Sequence, residues 1–411
     1  KPLMETLNLS DQPQAVRLAA ARALIALDAR DAAPLLHQRA VSDGQEMAQL
    51  VEPALLRWEF EPVRKTWLER LTETSTPRGM LVLAIRGLGQ SGVSEASPRL
   101  IELAANSAAS PTIRLEAARA LGLLQSEGLL DNGRTLSADK GSAGIVNRLV
   151  AASMLAGHSG SEAEALLTEL ALDREPAVAR IALARLYEID PELVLAQLEK
   201  LSGSGDAHVR RFAARALIAR PDNDRVARLA AFLDDPDTEL RVEVRNALYT
   251  FAADPEYKDL VVQKGTEMLA GSGWPGLEQS SILLAGLDHK PAAARLLQLL
   301  DHQQPQVFVA AAWGLRQLRV RTALPAMLDR AKRTAELLTD NKTLTATNAR
   351  TDLLNEQLRE LMQAFGLMKY LEAGELLVRF VPKRGPWAIN TRCAAIYAGG
   401  SIFENAPEPD V

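Results

Sequence analysis

The sequence contains one cysteine, Cys393, and only 4% aromatic residues among its 411 positions. A single thiol excludes an internal disulfide and any metal site built from several cysteines. With so few rings, the core must be filled by smaller side chains such as Ala and Leu. No apolar run is long enough to span a membrane, and the chain does not open on a basic segment followed by an apolar one. We therefore expect a soluble protein of the cytoplasm or the periplasm. Because the chain begins at Lys1 rather than Met, the sequence is also compatible with a signal peptide that has been removed.

Histidine is also scarce. The chain has five histidines, and none forms a His-x-x-x-His or His-Glu pair, so we predict no metal site and no cofactor. Cys393 lies in an Ala-rich stretch without a neighbouring histidine, which favours a buried thiol over a nucleophile. The glycine-rich segments 202–205 and 271–274 lack the Gly-Lys-Ser spacing of a phosphate loop. We predict no catalytic residues and no enzymatic activity.

The charge balance restricts the class of partner. A formal net charge of -5 and a pI near 5.7 argue against a nucleic-acid protein whose whole surface is basic, although a local basic stripe is compatible with both values. At 411 residues the chain exceeds the usual size of one compact core, so it either divides into domains or grows by repetition.

A 13-residue motif recurs along the chain. Its clearest copies lie at 15–27, 112–124, 177–189 and 208–220, and weaker copies lie at 239–251, 306–318 and 390–400. Between residues 113 and 307 successive copies are 30 to 37 residues apart, which accommodates two helices of about 11–15 residues each and two turns. The repeating unit is therefore predicted to be a helical hairpin.

The apolar spacing within the motif is that of one helical face. In the first copy it predicts burial of Val16, Ala19, Ala20, Ala23, Leu24 and Leu27. Small Ala side chains let neighbouring helix axes approach closely, so each hairpin is expected to stack on the next one. Acidic and Pro residues stand just before several copies, for example Asp11 and Pro13, where they suit a helix start.

This unit resembles a HEAT repeat in the short bacterial form found in phycobilisome-lyase-like proteins. The residues that carry the resemblance are Asp11, Pro13, Val16, Arg17, Ala19, Ala20, Ala23 and Leu24. The resemblance implies an all-α, right-handed α-α superhelix of the HEAT/armadillo type, with about eleven to twelve hairpins. It implies no chemistry, because the His-Glu pairs of iron-binding HEAT hydroxylases and specific bilin-lyase residues are not found here.

We expect one continuous solenoid over 1–411. The segments 126–144 and 339–352 break the helical periodicity and are predicted to be irregular inserts. Neither end of the sequence supplies a polar capping hairpin, which is typical of a piece of a longer chain.

Two arginine columns emerge when the copies are aligned. The first lies beside the predicted apolar stripe, where a guanidinium reaches the acidic turn of an adjacent repeat, so we interpret it as a structural ladder. It consists of Arg17, Arg114, Arg148, Arg180, Arg210, Arg241 and Arg392.

The second column points away from the stripe. In HEAT arrays this helix lines the concave surface, so the column would follow the floor of a groove and accept an anionic or acidic partner; pairing with acids of the next repeat is the alternative. Towards the C-terminus its residues become polar and aromatic, and Trp313 either anchors a partner or packs beneath the 339–352 segment. The predicted partner-binding residues are Arg22, Arg86, Arg119, Arg185, Arg215, Asn246, Trp313 and Tyr397.

The remaining tryptophans, Trp58, Trp67, Trp274 and Trp387, are predicted to pack in the core. The sequence therefore favours a non-catalytic scaffold that binds a protein or peptide on its concave face. The alternatives are a nucleic-acid or anionic-ligand protein using the second column, or an accessory lyase-like enzyme assembled across repeats.

Overall fold

The computed structural model describes residues 2–9, 11–340, 349–382 and 387–404. Within them the regular structure is helical throughout, as predicted for an all-α chain, and their contacts form two compact units, Lys1–Ala213 and Ala214–Val411. The α-helices of the first unit are α1 (Pro2–Asn8), α2 (Gln14–Ala26), α3 (Ala33–Ser42), α4 (Gln45–Arg57), α5 (Pro62–Thr72), α6 (Arg78–Gln90), α7 (Ser97–Ala105), α8 (Pro111–Leu124), α9 (Leu130–Ser137), α10 (Ile145–Met154), α11 (Ser161–Ala171), α12 (Pro176–Ile189), α13 (Pro191–Leu195) and α14 (Leu198–Ser202).

The boundary between the units falls within α15 (Ala207–Ala219). The second unit continues with α16 (Asn223–Ala230), α17 (Thr238–Phe251), α18 (Pro255–Ala270), α19 (Trp274–Gly286), α20 (Ala293–Leu299), α21 (Pro305–Leu318), α22 (Leu324–Asp340), α23 (Ala349–Leu367), α24 (Gly374–Val378) and α25 (Ile389–Phe403). The prediction of one continuous solenoid stays a prediction.

The helices alternate between two roles. We call α2, α4, α6, α8, α10, α12, α15, α17, α19, α21, α23 and α25 the motif helices, and the other α-helices the companion helices. Each unit is built as a stack: α7 packs on α8 and α18 on α19, while α6 lies beside α8 and α19 beside α21. The twelve motif helices in the described residues agree with the predicted eleven to twelve hairpins.

Motif helices start and stop by local chemistry. Ser110 and Asp237 cap α8 and α17 by accepting hydrogen bonds from Ile113 N and Leu240 N, at 3.4 and 2.9 Å. Several of the far ends have a turn in which one residue has a positive φ, such as Asp28 (φ 50) after α2 and Asp288 (φ 56) after α19. The amide that follows each of these residues donates back to a carbonyl five residues earlier, at 3.0 and 2.9 Å, which closes the helix and starts the next companion helix.

The predicted buried stripe is one position out of register in α2, whereas in α12 and α21 the predicted stripe, which begins at Ala179 and Val307, is buried. Of the six residues predicted in α2, only Ala20 and Leu24 are buried; Val16 and Leu27 are 39% and 70% exposed. The buried stripe instead begins at the motif arginine and continues three, four and seven residues later, as Arg114, Ala117, Ala118 and Leu121 do in α8. An arginine can lead this stripe because its apolar stem packs against the core while carbonyls and carboxylates satisfy its guanidinium.

The inserts also differ from the prediction. Within 126–144 the chain forms α9 and a 3-10 turn at Ser142–Gly144, so this segment is a companion helix whose Gly and polar content hides its periodicity. Of 339–352, residues 339–340 belong to the end of α22 and 349–352 to the start of α23, and the predicted irregular structure at 341–348 lies outside the described residues.

Candidate functional site

The motif helices carry a face opposite their buried stripe. At 100° per residue, the residues two and five places after the first stripe residue lie about 150° from the middle of the stripe, on either side of the outermost line. We call the surface formed by these places the outer face. Five places after the first stripe residue stand Arg22, Arg86, Arg119, Arg215, Asn246 and Trp313, all predicted binding residues.

Two predicted residues fall elsewhere, because the stripes of their helices begin differently. In α12 the stripe begins at Ala179, so Arg185 turns towards the neighbouring repeat and donates to the carbonyls of His158 and Gly157 at 2.7 and 3.1 Å. In α25 the stripe begins at Thr391, and Tyr397 lies six places later, where it is 63% exposed. Arg185 therefore has a structural contact with the preceding repeat that the alignment did not predict.

The second arginine column is partly paired. Arg86 binds Glu116 of the next motif helix through two contacts of 2.7 and 2.9 Å, and Arg119 reaches the same carboxylate at 3.2 Å. Arg215 binds Glu243 of the next motif helix at 2.7 Å. In each inter-helix pair an arginine five places into one stripe meets a glutamate two places into the next, so these contacts align neighbouring helices.

Arg22 is the exception among the arginines of this face. It is exposed and has no ion pair among the residues that the structure describes. The corresponding place on the next motif helix, two after the first stripe residue Ala48, is occupied by Leu50 rather than by a glutamate. A hydrophobic residue there leaves the guanidinium of Arg22 directed to solvent.

Glu116 supports the first unit electrostatically. Its hydrogen bond with Arg86 lowers the pKa of the Glu116 carboxyl, and the same bond raises the pKa of Arg86. Because the folded pKa lies below the unfolded one, the stabilisation is present above about pH 4.5 and is lost as the pH falls through the folded pKa.

We expect Glu116→Gln to lower the free energy of unfolding at pH 7 by about 1–3 kcal/mol, because a buried carboxylate that accepts three charge-assisted hydrogen bonds is lost. The difference between variant and wild type should shrink as the pH falls from about 4.5 through the lowered folded pKa of Glu116. Urea denaturation between pH 3 and 7 measures both effects. Glu188→Gln, which removes an exposed partner of Arg185, should stay within about 0.5 kcal/mol of wild type; an equal loss would contradict the role given to Glu116.

The first arginine column leads the buried stripe rather than flanking it, except at Arg180 and Arg392, each of which stands one place after the first stripe residue. Arg148 donates to Asp173 Oδ2 at 2.6 Å and to the carbonyls of Asp139 and Gly141, each at 2.7 Å. Arg114 makes the corresponding contact with an amide instead of a carboxylate: it donates to Asn147 Oδ1 at 2.6 Å. Within these repeats the guanidinium ties its own leading turn to the following repeat, and the same kind of turn carbonyl contact is made by Arg17, Arg210, Arg241 and Arg392.

Arg180 does not belong to this column. It is exposed and forms no ion pair among the described residues, because Ala179 occupies the place that Arg148 fills in its repeat. The motif copy at 177–189 has Val178 and Ala179 where the copy at 112–124 has Ile113 and Arg114. The assignment of Arg180 to the ladder was therefore wrong by one residue.

A pocket of about 500 Å³ lies on the outer face of the second unit. Trp313 of α21 forms one wall, half-buried against the core, and Tyr249 of α17, 51% exposed, belongs to the same lining. Asn246 and Arg245 add polar groups, and the Arg245 guanidinium donates to the buried Gln279 at 3.0 Å. The alternative prediction, that Trp313 packs beneath the 339–352 segment, involves residues 341–348, which lie outside the described residues.

A second pocket, of about 490 Å³, lies on the other side of α21. Its lining includes Arg316, Arg359, Gln363 and Tyr397, and both arginines bind the buried Glu360, at 2.6 and 2.8 Å. Cys393 also lines this pocket and is exposed, so the prediction of a buried thiol was wrong. Because the stripe of α25 begins at Thr391, Cys393 stands two places into it and points to the outer face.

Trp58 and Trp67 are buried in the core as predicted, whereas Trp274 and Trp387 are half-buried and pack against its edge. Trp67 is 1% exposed and Trp58 is 8% exposed, and their indole N–H groups donate to Glu52 and Asp28 at 2.9 and 2.5 Å. Trp387 stacks on Phe380 with ring centroids 4.3 Å apart, and Trp274 lies under the Arg241 guanidinium at 5.1 Å.

Sequence reasoning missed several residues of this surface. Tyr249 lies eight places after Arg241, one turn beyond the column that was compared, so a search of a single column passes over it. Arg316 and Glu360 belong to degenerate copies with few matching letters. An arginine in one copy followed by a glutamate in the next was the pattern from which these ion pairs could have been predicted.

Metal binding and membrane crossing can both be assessed for the residues that the structure describes. No group of three or more His, Cys, Asp or Glu side chains there is arranged to hold a metal ion. None of the helices described combines the length and the apolar character that crossing a membrane requires.

Solved structures with a similar arrangement of helices include nuclear import receptors. Kap95p with RanGDP matches 99% of this chain and 60% of its own length, with a TM-score of 0.58 and 14% sequence identity. The yeast importin-β Kap95p matches 99% of this chain and 61% of its own length, with a TM-score of 0.50 and 13% identity. The chain has the fold of a HEAT-type solenoid.

These likenesses show the fold alone, and this chain spans about 60% of the length of the receptors. The Kap95:Nup1 complex is a further match, with a TM-score of 0.53, 14% identity, and coverage of 99% of this chain and 61% of that one. No protein-family model matches the sequence, and no curated protein sequence matches it. The resemblance to the short bacterial lyase-like repeats stays a prediction.

Proposed function

We propose that this chain is a non-catalytic scaffold that binds a protein partner on the outer face of its motif helices. The observation that carries the proposal is the pair of pockets on either side of α21, each near 500 Å³, with Trp313 in one and Tyr397 in the other. Pockets of this size accept single side chains or short turns of a partner, and Trp and Tyr are common among the few residues that supply most of the binding energy of an interface.

Exposed aromatic surface supports the same interpretation. Tyr249 and Tyr397 are more than half exposed although only 4% of the chain is aromatic, so two of its few rings are placed in solvent in the pockets beside the outer face. Their amide and guanidinium neighbours, Asn246 and Gln363 among them, provide hydrogen bonds that would orient a bound backbone. We take this face to be the concave side that the repeat pattern predicts.

The structural neighbours are compatible with this function. Kap95p is described in a complex with Nup1, and Kap121p, a further match with a TM-score of 0.50, is described bound to Pho4p, so these solenoids bind proteins. The fold leaves the chemistry of the partner to the side chains on the exposed helices.

Partner binding can be tested by comparing captured proteins. Wild type and Trp313→Ala, each immobilised, are incubated with native lysate of the source cell, and a protein held by wild type is then purified and titrated against both. We expect Trp313→Ala to weaken this binding by about 30-fold, since loss of a central aromatic anchor costs about 2 kcal/mol.

Leu337→Ala is the matched control, because Leu337 is an exposed apolar residue on the companion helix α22 and should leave the affinity unchanged. Circular dichroism confirms that both variants are folded. The proposal fails if wild type retains no protein, or if Trp313→Ala and Tyr397→Ala both bind the partner as tightly as wild type.

A further inference from the structure

The outer face of the first unit is chemically unlike that of the second. On α2, α4, α6 and α8 the two outer places of each helix hold three arginines, Arg22, Arg86 and Arg119, and one acid, Glu116. The remaining four are the uncharged residues Ala19, Leu50, Pro53 and Leu83. These four helices lie side by side, α2 on α4, α4 on α6 and α6 on α8. The surface is therefore continuous across four motif helices.

The positive charge on this surface is not neutralised. Glu116 is buried and already accepts from both Arg86 and Arg119, so one carboxylate serves two guanidinium groups. Arg22 adds a third cation without an ion pair among the described residues. The three arginine side chains and one acid leave a local excess of positive charge, although the whole chain carries a formal net charge of -5.

The arginines remain accessible despite their contacts. The side chains of Arg86 and Arg119 are 54% and 60% exposed, against 8% for the Glu116 side chain that they share. Glu116 thus holds both guanidinium groups in place while their outer N–H groups face solvent. Fixing the donors in advance reduces the entropy that would be lost when they bind a carboxylate.

Aliphatic residues adjoin the arginines. Leu123 follows Arg119 by one helical turn and is 67% exposed, and Leu50 and Leu83 are half-buried on the neighbouring helices. A nucleic-acid surface would instead place aromatic rings between its cations for base stacking, and the outer places of α2, α4, α6 and α8 hold no ring. This combination fits carboxylates and aliphatic side chains on one ligand.

We infer that the outer face of α2, α4, α6 and α8 binds an acidic, aliphatic segment of a partner protein, with Arg22, Arg86 and Arg119 pairing its carboxylates. The inference rests on the proposed scaffold function and adds the charge and composition of the segment. Pairs of this kind bring specificity and a faster association that salt weakens.

The probe is a fluorescent peptide of alternating Glu and Leu, twelve residues long, titrated by polarisation against the full chain at low and at high salt. A Lys-Leu peptide of equal length and a labelled oligo-dT are titrated in parallel. We expect the Glu-Leu peptide to bind most tightly and to lose affinity at high salt. Stronger binding of oligo-dT, or no difference between the two peptides, would overturn the inference.

Arg22→Glu is the decisive variant, because Arg22 makes no ion pair with any residue that the structure describes. It should weaken the Glu-Leu peptide by roughly 5–10-fold at low salt, which corresponds to the loss of one exposed attraction and the gain of one repulsion. Arg180→Glu is the matched control: it changes the charge by the same amount on an exposed arginine of α12 outside this surface, and it should leave the affinity within twofold.

Equal weakening by Arg22→Glu and Arg180→Glu would show a nonspecific charge effect and reject the site. Arg119→Gln gives a second reading at a place within the surface, with a smaller expected loss. The outcome separates from that of the proposed function: a cellular partner lost by Trp313→Ala supports the scaffold even when the acidic peptide fails to bind, and peptide binding requires no cellular partner.

Discussion

Replacing Arg148 with methionine should lower the free energy of unfolding of the first unit by about 3–5 kcal/mol, the usual result of removing one partner of a buried ion pair. The side chain of Arg148 is 4% exposed and that of Asp173 7% exposed, so the variant leaves a carboxylate without its counter-charge inside the stack. The carbonyls of Asp139 and Gly141 lose their donor in the same step. Urea denaturation followed by circular dichroism measures the loss.

Arg180→Met is the matched control, since both arginines come from the same predicted column and only Arg148 is buried. It should change the stability by less than about 0.5 kcal/mol. The double variant Arg148→Met with Asp173→Asn should recover part of the loss, because the Asn side chain carries no charge. Its oxygen can still accept the hydrogen bond that Glu175 N donates to Asp173 Oδ1 at 2.9 Å in the wild type. Equal losses for Arg148→Met and Arg180→Met would refute the register derived from burial.

Trp67→Ala is the second large effect, with an expected loss of about 3–5 kcal/mol. Trp67 is the largest fully buried side chain, and its ring lies against the backbone of Gly87, where an added Cβ would come within 2.6 Å of the ring carbons. The small Gly87 of α6 and the large Trp67 of α5 thus fill one interface between a companion helix and a motif helix. Removing the ring leaves a cavity that rigid helices close only in part.

Trp67→Phe separates packing from hydrogen bonding. It keeps most of the ring but removes the indole N–H that donates to Glu52, a buried carboxylate also bound by Arg70 at 2.5 Å, so a loss of about 1–3 kcal/mol is expected. Leu27→Ala, at a residue that the motif predicts to be buried and that is exposed, should cost less than about 0.5 kcal/mol. A Trp67→Ala variant as stable as Leu27→Ala would contradict the assigned packing.

Turn chemistry explains why the repeat boundaries were harder to predict than the repeats. The five non-glycine residues with positive φ among the described residues are Asp28, Glu59, Asp288, Arg319 and Lys369, and they share no side-chain type. The backbone amide after four of them, Asp28, Glu59, Asp288 and Lys369, donates to a carbonyl five residues earlier, so the turn is set by hydrogen bonding rather than by a recognisable residue. The helix α9 was also hard to predict from local sequence. Its Gly133 packs against Leu155, and this contact keeps the residue helical although glycine has a low helix propensity.

The sequence alone determined that this chain is helical, that it repeats about every 30 to 37 residues, and that Ala and Leu fill its core, because helical periodicity is written in local spacing. Only the tertiary structure decided the rotation of each helix about its axis. That rotation places Arg148 inside and Arg180 outside, and it brings Cys393 to the surface. A shift of one residue turns a helix by 100°, so a one-letter difference in alignment exchanges buried and exposed places. The positions of Trp313, Tyr249 and Tyr397 on the surface therefore depend on packing between repeats, which the sequence of a single repeat does not determine.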